Sequence, residues 1–307
     1  MTDSHILHDA LAKLMTEQRN PSSMDLDTRS TEGILRLINA EDKLVPLAVE
    51  HEIPYIAEAV DIVVHALKNG GRLIYVGAGT SGRLGILDAA ECPPTFGTEP
   101  GLIRGVIAGG QAAVFRSQEG AEDDIEKGRH DMDTQEITPR DVVCGIAASR
   151  RTPFVVAAVA RARELGAKTI FLTTNPRSEF DLEVDVAICP EVGPEVLMGS
   201  TRMKSGAAQK LVLTMLTTTV MVKLGKIYQN MMVDLQRTNQ KLVERSKRIV
   251  MLATGLSYKR AEELLESAGG HVKTAIVMAL AGVSADEARK RIEEADGFVK
   301  GAVPPGP

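Results

Sequence analysis

The sequence predicts an α/β fold: a mainly parallel, doubly wound sheet in three layers, α/β/α, followed by a small helical module. Three observations predict it. Five short apolar runs rich in β-branched residues, at 72–76, 102–107, 141–146, 168–173 and 184–188, alternate with helical-period stretches near 83–90, 112–131, 153–165 and 202–224. The strand runs are near-continuous Val, Ile and Leu, the pattern of strands covered on both faces. Beyond about residue 236 the strands stop, and short helical patterns over 240–300 are punctuated by Thr254-Gly255, Gly269-Gly270 and Ala281-Gly282. The expected organisation is therefore an N-terminal helical arm over 1–55, a sheet domain over 56–235, and a three-helix module with a tail over 236–307.

Taken in order, the arm carries a polar break at Asn20-Pro21-Ser22-Ser23 and an amphipathic stretch at 31–40. Residues 56–68 have helical periodicity and lead into the first strand. That strand feeds Gly77-Ala78-Gly79-Thr80-Ser81-Gly82, which opens onto the helical pattern at 83–90. Strand, glycine-rich turn and helix start together present backbone N–H groups and hydroxyls to an anion. At the far end of the short helix stands Glu91, followed by Cys92-Pro93-Pro94. An anion cradle followed by a carboxylate suggests chemistry on a phosphorylated small molecule.

The glycines also satisfy G-x-G-x-x-G, so a dinucleotide site must be weighed. Such a site wants an acidic residue at the end of the next strand. That strand ends instead in Ala108-Gly109-Gly110-Gln111. A P-loop is excluded, since no Lys-Ser/Thr pair follows the glycines.

Ligands of parallel α/β sheets bind off the carboxyl ends of the strands, so the loops leaving the strands should share a chemistry. After 141–146 comes Ala147-Ala148-Ser149-Arg150-Arg151-Thr152-Pro153, and after 168–173 comes Thr174-Asn175-Pro176. Met198-Gly199-Ser200-Thr201-Arg202-Met203-Lys204-Ser205-Gly206 opens the long helix. Each hydroxyl-rich loop alone reads as an ordinary helix cap. Three of them on one sheet edge point to an anion pocket.

At 307 residues with 44% hydrophobic content, the chain supports one large α/β domain plus a smaller module. No run of 18 apolar residues occurs, and MTDSHILHDALAK lacks the basic-then-apolar pattern of a signal peptide, so a cytoplasmic location is expected. The three cysteines (Cys92, Cys144, Cys189) and six histidines are scattered, which argues against a disulfide framework and a zinc site. Neither metal nor other cofactor is expected. A net charge of −5, 3% aromatics and no Trp argue against nucleic acid as a partner. The basic clusters at 245–248 and 289–291 read as solvated helix faces.

The segments GAGTSGRLGILDAAECPPTFG, IAGG, EGAEDD, GIAASRRTP and GSTRMKSGAAQKLVLTML, in this order, closely resemble the N-acetylmuramic acid 6-phosphate etherases, a bacterial group of the sugar isomerase (SIS) domain family. The resemblance runs from about residue 27 to residue 300. It implies a parallel-sheet SIS domain over 56–235 and a C-terminal module similar to small ubiquitin-associated three-helix folds. It also implies a cytoplasmic homodimer that converts N-acetylmuramic acid 6-phosphate into N-acetylglucosamine 6-phosphate and D-lactate in the recycling of cell-wall amino sugars. The catalytic residues it implies are Glu91 and Glu122. The phosphate is expected among Gly79, Thr80, Ser81, Ser149, Thr152, Ser200 and Thr201, with Lys204 as a countercharge.

The residues suit that chemistry. The lactyl oxygen sits on C3, β to the aldehyde carbon of the open-chain sugar, so C2–H is acidic enough for a carboxylate to remove. A carboxyl titrating near neutrality needs burial or a neighbouring charge, and Glu91 beside an apolar helix is a candidate. Arg150 departs from the family pattern, which has Gly between Ser and Arg-Thr-Pro. An Arg there either reshapes the loop or adds a phosphate contact. Two rival readings share the core: a phosphosugar aldose–ketose isomerase, and a non-catalytic sugar-phosphate sensor like the glucokinase regulatory protein. The presence of both glutamates favours the etherase.

Overall fold

A computed structural model describes residues 14–237 and 239–304. They divide into two compact units: one takes the described residues up to 89 together with 101–216, the other 90–100 together with the residues from 217 onward.

The first unit opens with an arm of short turns and three helices, α1 (Thr31–Asp42), α2 (Val45–Glu50) and α3 (Ile53–Lys68). The Ser30 hydroxyl accepts from the Gly33 amide and starts α1. Strand β1 (Leu73–Gly77) then leads into α4 (Gly79–Phe96), β2 (Ile103–Ile107), α5 (Ala112–Phe115), α6 (Ile125–Thr134), β3 (Val142–Ile146), α7 (Pro153–Glu164), β4 (Lys168–Leu172), β5 (Val186–Ile188) and α8 (Lys204–Lys223). The five strands form one parallel sheet in the order β2-β1-β3-β4-β5. Strands β1 and β3 are fully buried, as their unbroken apolar runs predict.

Alternation along the strands assigns the two faces. Ile74, Val76, Val143 and Phe171 pack with Met132 of α6 and with Phe154, Val155, Ala158 and Val159 of α7. Tyr75 and Ile146 point the other way, where α4 comes so close that a Cβ on Gly85 would lie 2.9 Å from the Cβ of Tyr75. The three-layer architecture is thus present, with strand boundaries within two residues of those expected.

Two elements depart from the expectation. Helix α4 runs from Gly79 through Pro93 and Pro94 to Phe96, where the sequence suggested only 83–90. A proline ring is compatible with helical φ, although it removes its N–H and crowds the carbonyl four residues back. The turn holds because the Pro93 carbonyl accepts from Gly97 at 2.9 Å and the Pro94 carbonyl from Gln236 at 3.4 Å. The expected helix over 112–131 is broken into α5, a 3₁₀ turn Ala121–Asp123 and α6. Gly120 adopts φ +71°, and the Asp124 carboxylate accepts from the Lys127 amide to restart the helix. Glu122 therefore stands on a tight turn between two helices.

The second unit contains the short hairpin of β6 (Ile227–Tyr228) and β7 (Met231–Met232) and five helices: α9 (Gln240–Thr254), α10 (Tyr258–Ser267), α11 (Val272–Ala281), α12 (Ala285–Glu294) and α13 (Val299–Ala302). Asn239, Ser257, His271 and Ser284 cap α9 to α12. Left-handed Gly255 and Gly282 end α9 and α11, at two of the breaks read from the sequence. Val250, Leu265, Ala275, Ile276 and Val299 form its core. The sequence suggested three helices beyond residue 236; among the described residues there are five, the last a single turn.

At the amino end of the sheet, the Asp141 carboxylate accepts from the backbone and guanidinium of Arg72 and from the Thr138 amide, at 2.8–3.0 Å. Burial disfavours its ionised form, but these hydrogen bonds prevail and hold the carboxyl below its ordinary value. A depressed carboxylate contributes stability that is present above its unfolded value near pH 4 and is lost as pH falls through the folded value. Asp141→Asn should cost about 3 kcal/mol at neutral pH and flatten the acid limb of stability below about pH 4. Denaturant unfolding across a pH series measures both effects.

Arg150, the departure in the loop after β3, keeps the left-handed conformation suited to glycine, with φ +57°. Its guanidinium turns to Asp181 at 2.6 Å and Glu179 at 3.7 Å, and its Nε is buried without a partner among the described residues. Left-handed backbone at a non-glycine residue costs roughly 1–2 kcal/mol, whereas a pair to the exposed Asp181 returns less than about 1 kcal/mol. Arg150→Gly is expected to raise the thermal midpoint by about 2 °C. A lowered midpoint would show that the ion pairs outweigh the strain.

Candidate active site

The strand order reverses direction between β1 and β3, and in open α/β sheets the ligand crevice lies at that switch point. Three of the expected loops meet this edge. In the first, between β1 and α4, side chains at Gly77 and Gly82 would collide: a Cβ on Gly77 would fall 2.8 Å from the Gly82 Cα. Gly79 makes the turn at φ +53°. Thr80 and Ser81 follow in the first turn of α4. The Ser81 hydroxyl donates to Gln209 Oε1 on α8 at 3.0 Å, and a Cβ on Gly206 would lie 3.4 Å from Thr80 Cγ2. The Thr201 carbonyl accepts from the Gly206 amide at 3.0 Å. Thr80, Ser81 and Thr201 are thus gathered around the first turn of α8, with Ser200 next to Thr201.

The loop after β3 carries Ser149 and Thr152, both half-buried. The Ser149 hydroxyl accepts from the Arg151 amide at 3.4 Å. Thr152 precedes Pro153 at the start of α7, and its hydroxyl makes no capping hydrogen bond. Behind these loops, Asn175 Nδ2 and the Thr173 hydroxyl both donate to the Ala148 carbonyl, at 2.7 and 2.8 Å, and fix the backbone leading into Ser149.

The start of α8 differs from the expectation in one respect. Lys204, anticipated as a countercharge for phosphate, is 1% exposed, and its Nζ lies 2.7 Å from Glu41 Oε2 on α1. Asn20 donates to the same Glu41 oxygen at 2.8 Å and to the Pro194 carbonyl at 3.1 Å. The fully buried Glu195 accepts from the amides of Lys204 and Ser205, each at 2.9 Å. The charge of Lys204 and the positive end of α8 are therefore both matched within the protein. Asn20, Glu41 and Glu195 carry no local signature that would have marked them, since each meets its partner only through tertiary packing.

A cavity of about 300 Å³ opens off the carboxyl ends of β1 and β2. Gly79, Arg83, Ala108, Gln118, Glu119 and Glu122 line it. Arg83 Nε and Nη2 donate to the carbonyls of Val114 and Ala113, at 2.9 and 2.8 Å, and so hold the end of α5. The fold thus brings the glycine turn, an arginine and Glu122 to one hollow. Arg83 was missed as a separate feature, although it directly follows the motif in the sequence.

Glu91 falls in the second unit, on the later turns of α4, and is exposed. The burial anticipated for it from the apolar helix is absent. Its neighbour Cys92 is buried, and the segment after Pro94 closes on residues 234–236. There Asp234 binds Lys273 Nζ at 2.7 Å and Lys226 Nζ at 3.3 Å, while Lys273 also donates to the Gly225 carbonyl at 2.9 Å. This network fixes the chain that backs the Glu91 turn.

Residues 55–163 match the glucokinase regulatory protein N-terminal SIS domain, and residues 123–219 match the SIS domain. The N-acetylmuramic acid 6-phosphate etherase of Salinibacter ruber is 62% identical over 277 residues, which cover 90% of this chain and 89% of that protein. The protein of the same name from Caldanaerobacter subterraneus subsp. tengcongensis is 58% identical, with 87% of each chain covered. That of Clostridioides difficile is 54% identical, covering 88% of this chain and 89% of the other. With this identity along nearly the whole length, and with a parallel SIS sheet whose switch-point edge carries the glycine turn and Glu122, the chain belongs to the N-acetylmuramic acid 6-phosphate etherases.

Proposed function

We propose that this protein cleaves the lactyl ether of N-acetylmuramic acid 6-phosphate, giving N-acetylglucosamine 6-phosphate and D-lactate in the recycling of cell-wall amino sugars. The observation that carries this reading is the hollow where the phosphate-type glycine turn and Glu122 meet at the switch-point edge of an etherase-family sheet. The 6-phosphate is held by the Gly79 backbone and by Thr80, Ser81, Ser149, Thr152, Ser200 and Thr201. Neutral donors of this kind bind a dianion without requiring a deprotonation of their own. Lys204 serves beneath them through Glu41, as a support for the loop that carries Ser200 and Thr201.

The sugar reacts in its open-chain form. The C1 aldehyde acidifies C2–H, a carboxylate takes that proton, and the C3–O bond breaks as the lactyl oxygen is protonated. Water then adds at C3 of the unsaturated aldehyde, and C2 regains a proton. Glu91 is the principal acid/base and proton donor, and Glu122 assists as a second acid/base or water-positioning group. The aldehyde itself supplies the electron sink, so the sequence of steps calls on no metal or redox cofactor. The enzyme acts in the cytoplasm as a homodimer; no helix among the described residues is long and apolar enough to cross a membrane. Uncharged side chains on the solvent side of α8, including Thr214, Met215, Thr218 and Val222, offer a face for a second copy.

D-lactate release from N-acetylmuramic acid 6-phosphate tests the reading. The wild-type protein should release it, Glu91→Gln should lose about 10³-fold in kcat with substrate binding retained, and Glu122→Gln about 10²-fold. Near-wild-type turnover by Glu91→Gln would remove that residue from the mechanism. In H₂¹⁸O the label should enter C3 of the sugar product and be absent from lactate; label in lactate would rule out elimination.

A further inference from the structure

The substrate of the proposed reaction differs from its sugar product by one anionic group, the lactyl carboxylate. Nothing assigned above receives it. The hollow beside Glu122 is lined by two carboxylates, Glu119 and Glu122, and a third anion entering it needs a cation. Arg83 is the one cation among the residues that line it.

The arginine is prepared for such a role. Its Nε and Nη2 are committed to the Val114 and Ala113 carbonyls, so the guanidinium plane is fixed before any ligand arrives. Those partners are neutral, and among the described residues no carboxylate pairs with Arg83. Its Nη1 is left for an incoming acceptor. Arg83 also lies one turn into α4 and lines the same hollow as Gly79.

We propose that the Arg83 guanidinium, through Nη1, binds the lactyl carboxylate of the substrate and so selects the ether over hexosamine 6-phosphates that lack it. This rests on the etherase reading above and deepens it. The lactyl carboxylate is separated from the ether oxygen by a single carbon, so its receptor must stand beside the groups that act on that oxygen. Arg83 shares one hollow with Glu122, the assisting acid/base or water-positioning group, and so stands beside one of the two proposed reacting groups. Once the C3–O bond breaks, the same contact holds the departing lactate until water has added.

The test compares N-acetylmuramic acid 6-phosphate with its neutral lactamide analogue, using the full-length wild type, Arg83→Met and Arg83→Lys. Wild type should favour the carboxylate substrate by about 50-fold in kcat/KM, the size of a charge-assisted hydrogen bond. Arg83→Met should lose about that factor on the carboxylate substrate, mostly in KM, and little on the amide. Arg83→Lys should retain part of the preference, and it carries the test should Arg83→Met fail to fold. Equal losses on both substrates would overturn the proposal, because they would mean that Arg83 only props α5 or holds the phosphate. Weakened inhibition of Arg83→Met by N-acetylglucosamine 6-phosphate, which has no lactyl group, would overturn it in favour of the phosphate role. If wild type releases no D-lactate, the etherase reading itself fails and this proposal with it, whereas a selectivity unmoved in an active enzyme removes Arg83 alone.

Discussion

The turn that joins β1 to α4 is the constraint on which the site depends. Gly77 and Gly82 face each other so closely that neither position has room for a Cβ, and the helix is drawn down directly over the strand end. Because the helix starts at once, its first amides and the hydroxyls of Thr80 and Ser81 stand at the switch-point edge. Arg83, one position past the second glycine, is placed over the hollow at the ends of β1 and β2. Further along, Gly85 and Gly105 permit the close approach of α4 to the sheet. A motif often read as flexible is here a close-packing device.

A second theme is the internal matching of charge around α8. A phosphate site at a helix start would ordinarily rely on the free amides and a nearby lysine. Here Glu195 occupies the amides of Lys204 and Ser205, and Glu41 occupies the Lys204 ammonium. Asn20 ties the same cluster to the Pro194 carbonyl. Burying these charges without partners would cost several kcal/mol each, so they are stable only as a set. The N-terminal arm, which supplies Asn20 and Glu41, is thereby built into the support of the loop bearing Ser200 and Thr201.

The two glutamates of the family pattern occupy contrasting settings. Glu122 rides a one-turn 3₁₀ element held between Gly120 and the Asp124 cap, beside the glycine turn. Glu91 sits on a helix that continues through two prolines, backed by a segment that the Asp234–Lys273 pair secures. Neither glutamate is buried.

The fold class was legible in the sequence because its signals are local. Unbroken Val/Ile/Leu runs mark strands covered on both sides, glycine pairs mark the ends of helices, and ordered motifs mark the family. What escaped were features decided by partners distant in the chain. The Pro93-Pro94 pair reads as a helix stop until the chain near Gln236 takes up the Pro94 carbonyl. Lys204 reads as a free cation until α1 brings Glu41 to it, 163 residues away in the chain. Arg150 reads as either a reshaped loop or an added phosphate contact, yet the backbone keeps a left-handed turn and the guanidinium turns to Asp181 and Glu179. By itself the sequence determined the strands, the glycine turn and the residue types at the sheet edge, since these follow from periodicity and backbone sterics. Only the tertiary structure decided which of those charges are already paired with a carboxylate and which, like Arg83, are held by backbone carbonyls, because pairing depends on distances that no local pattern encodes.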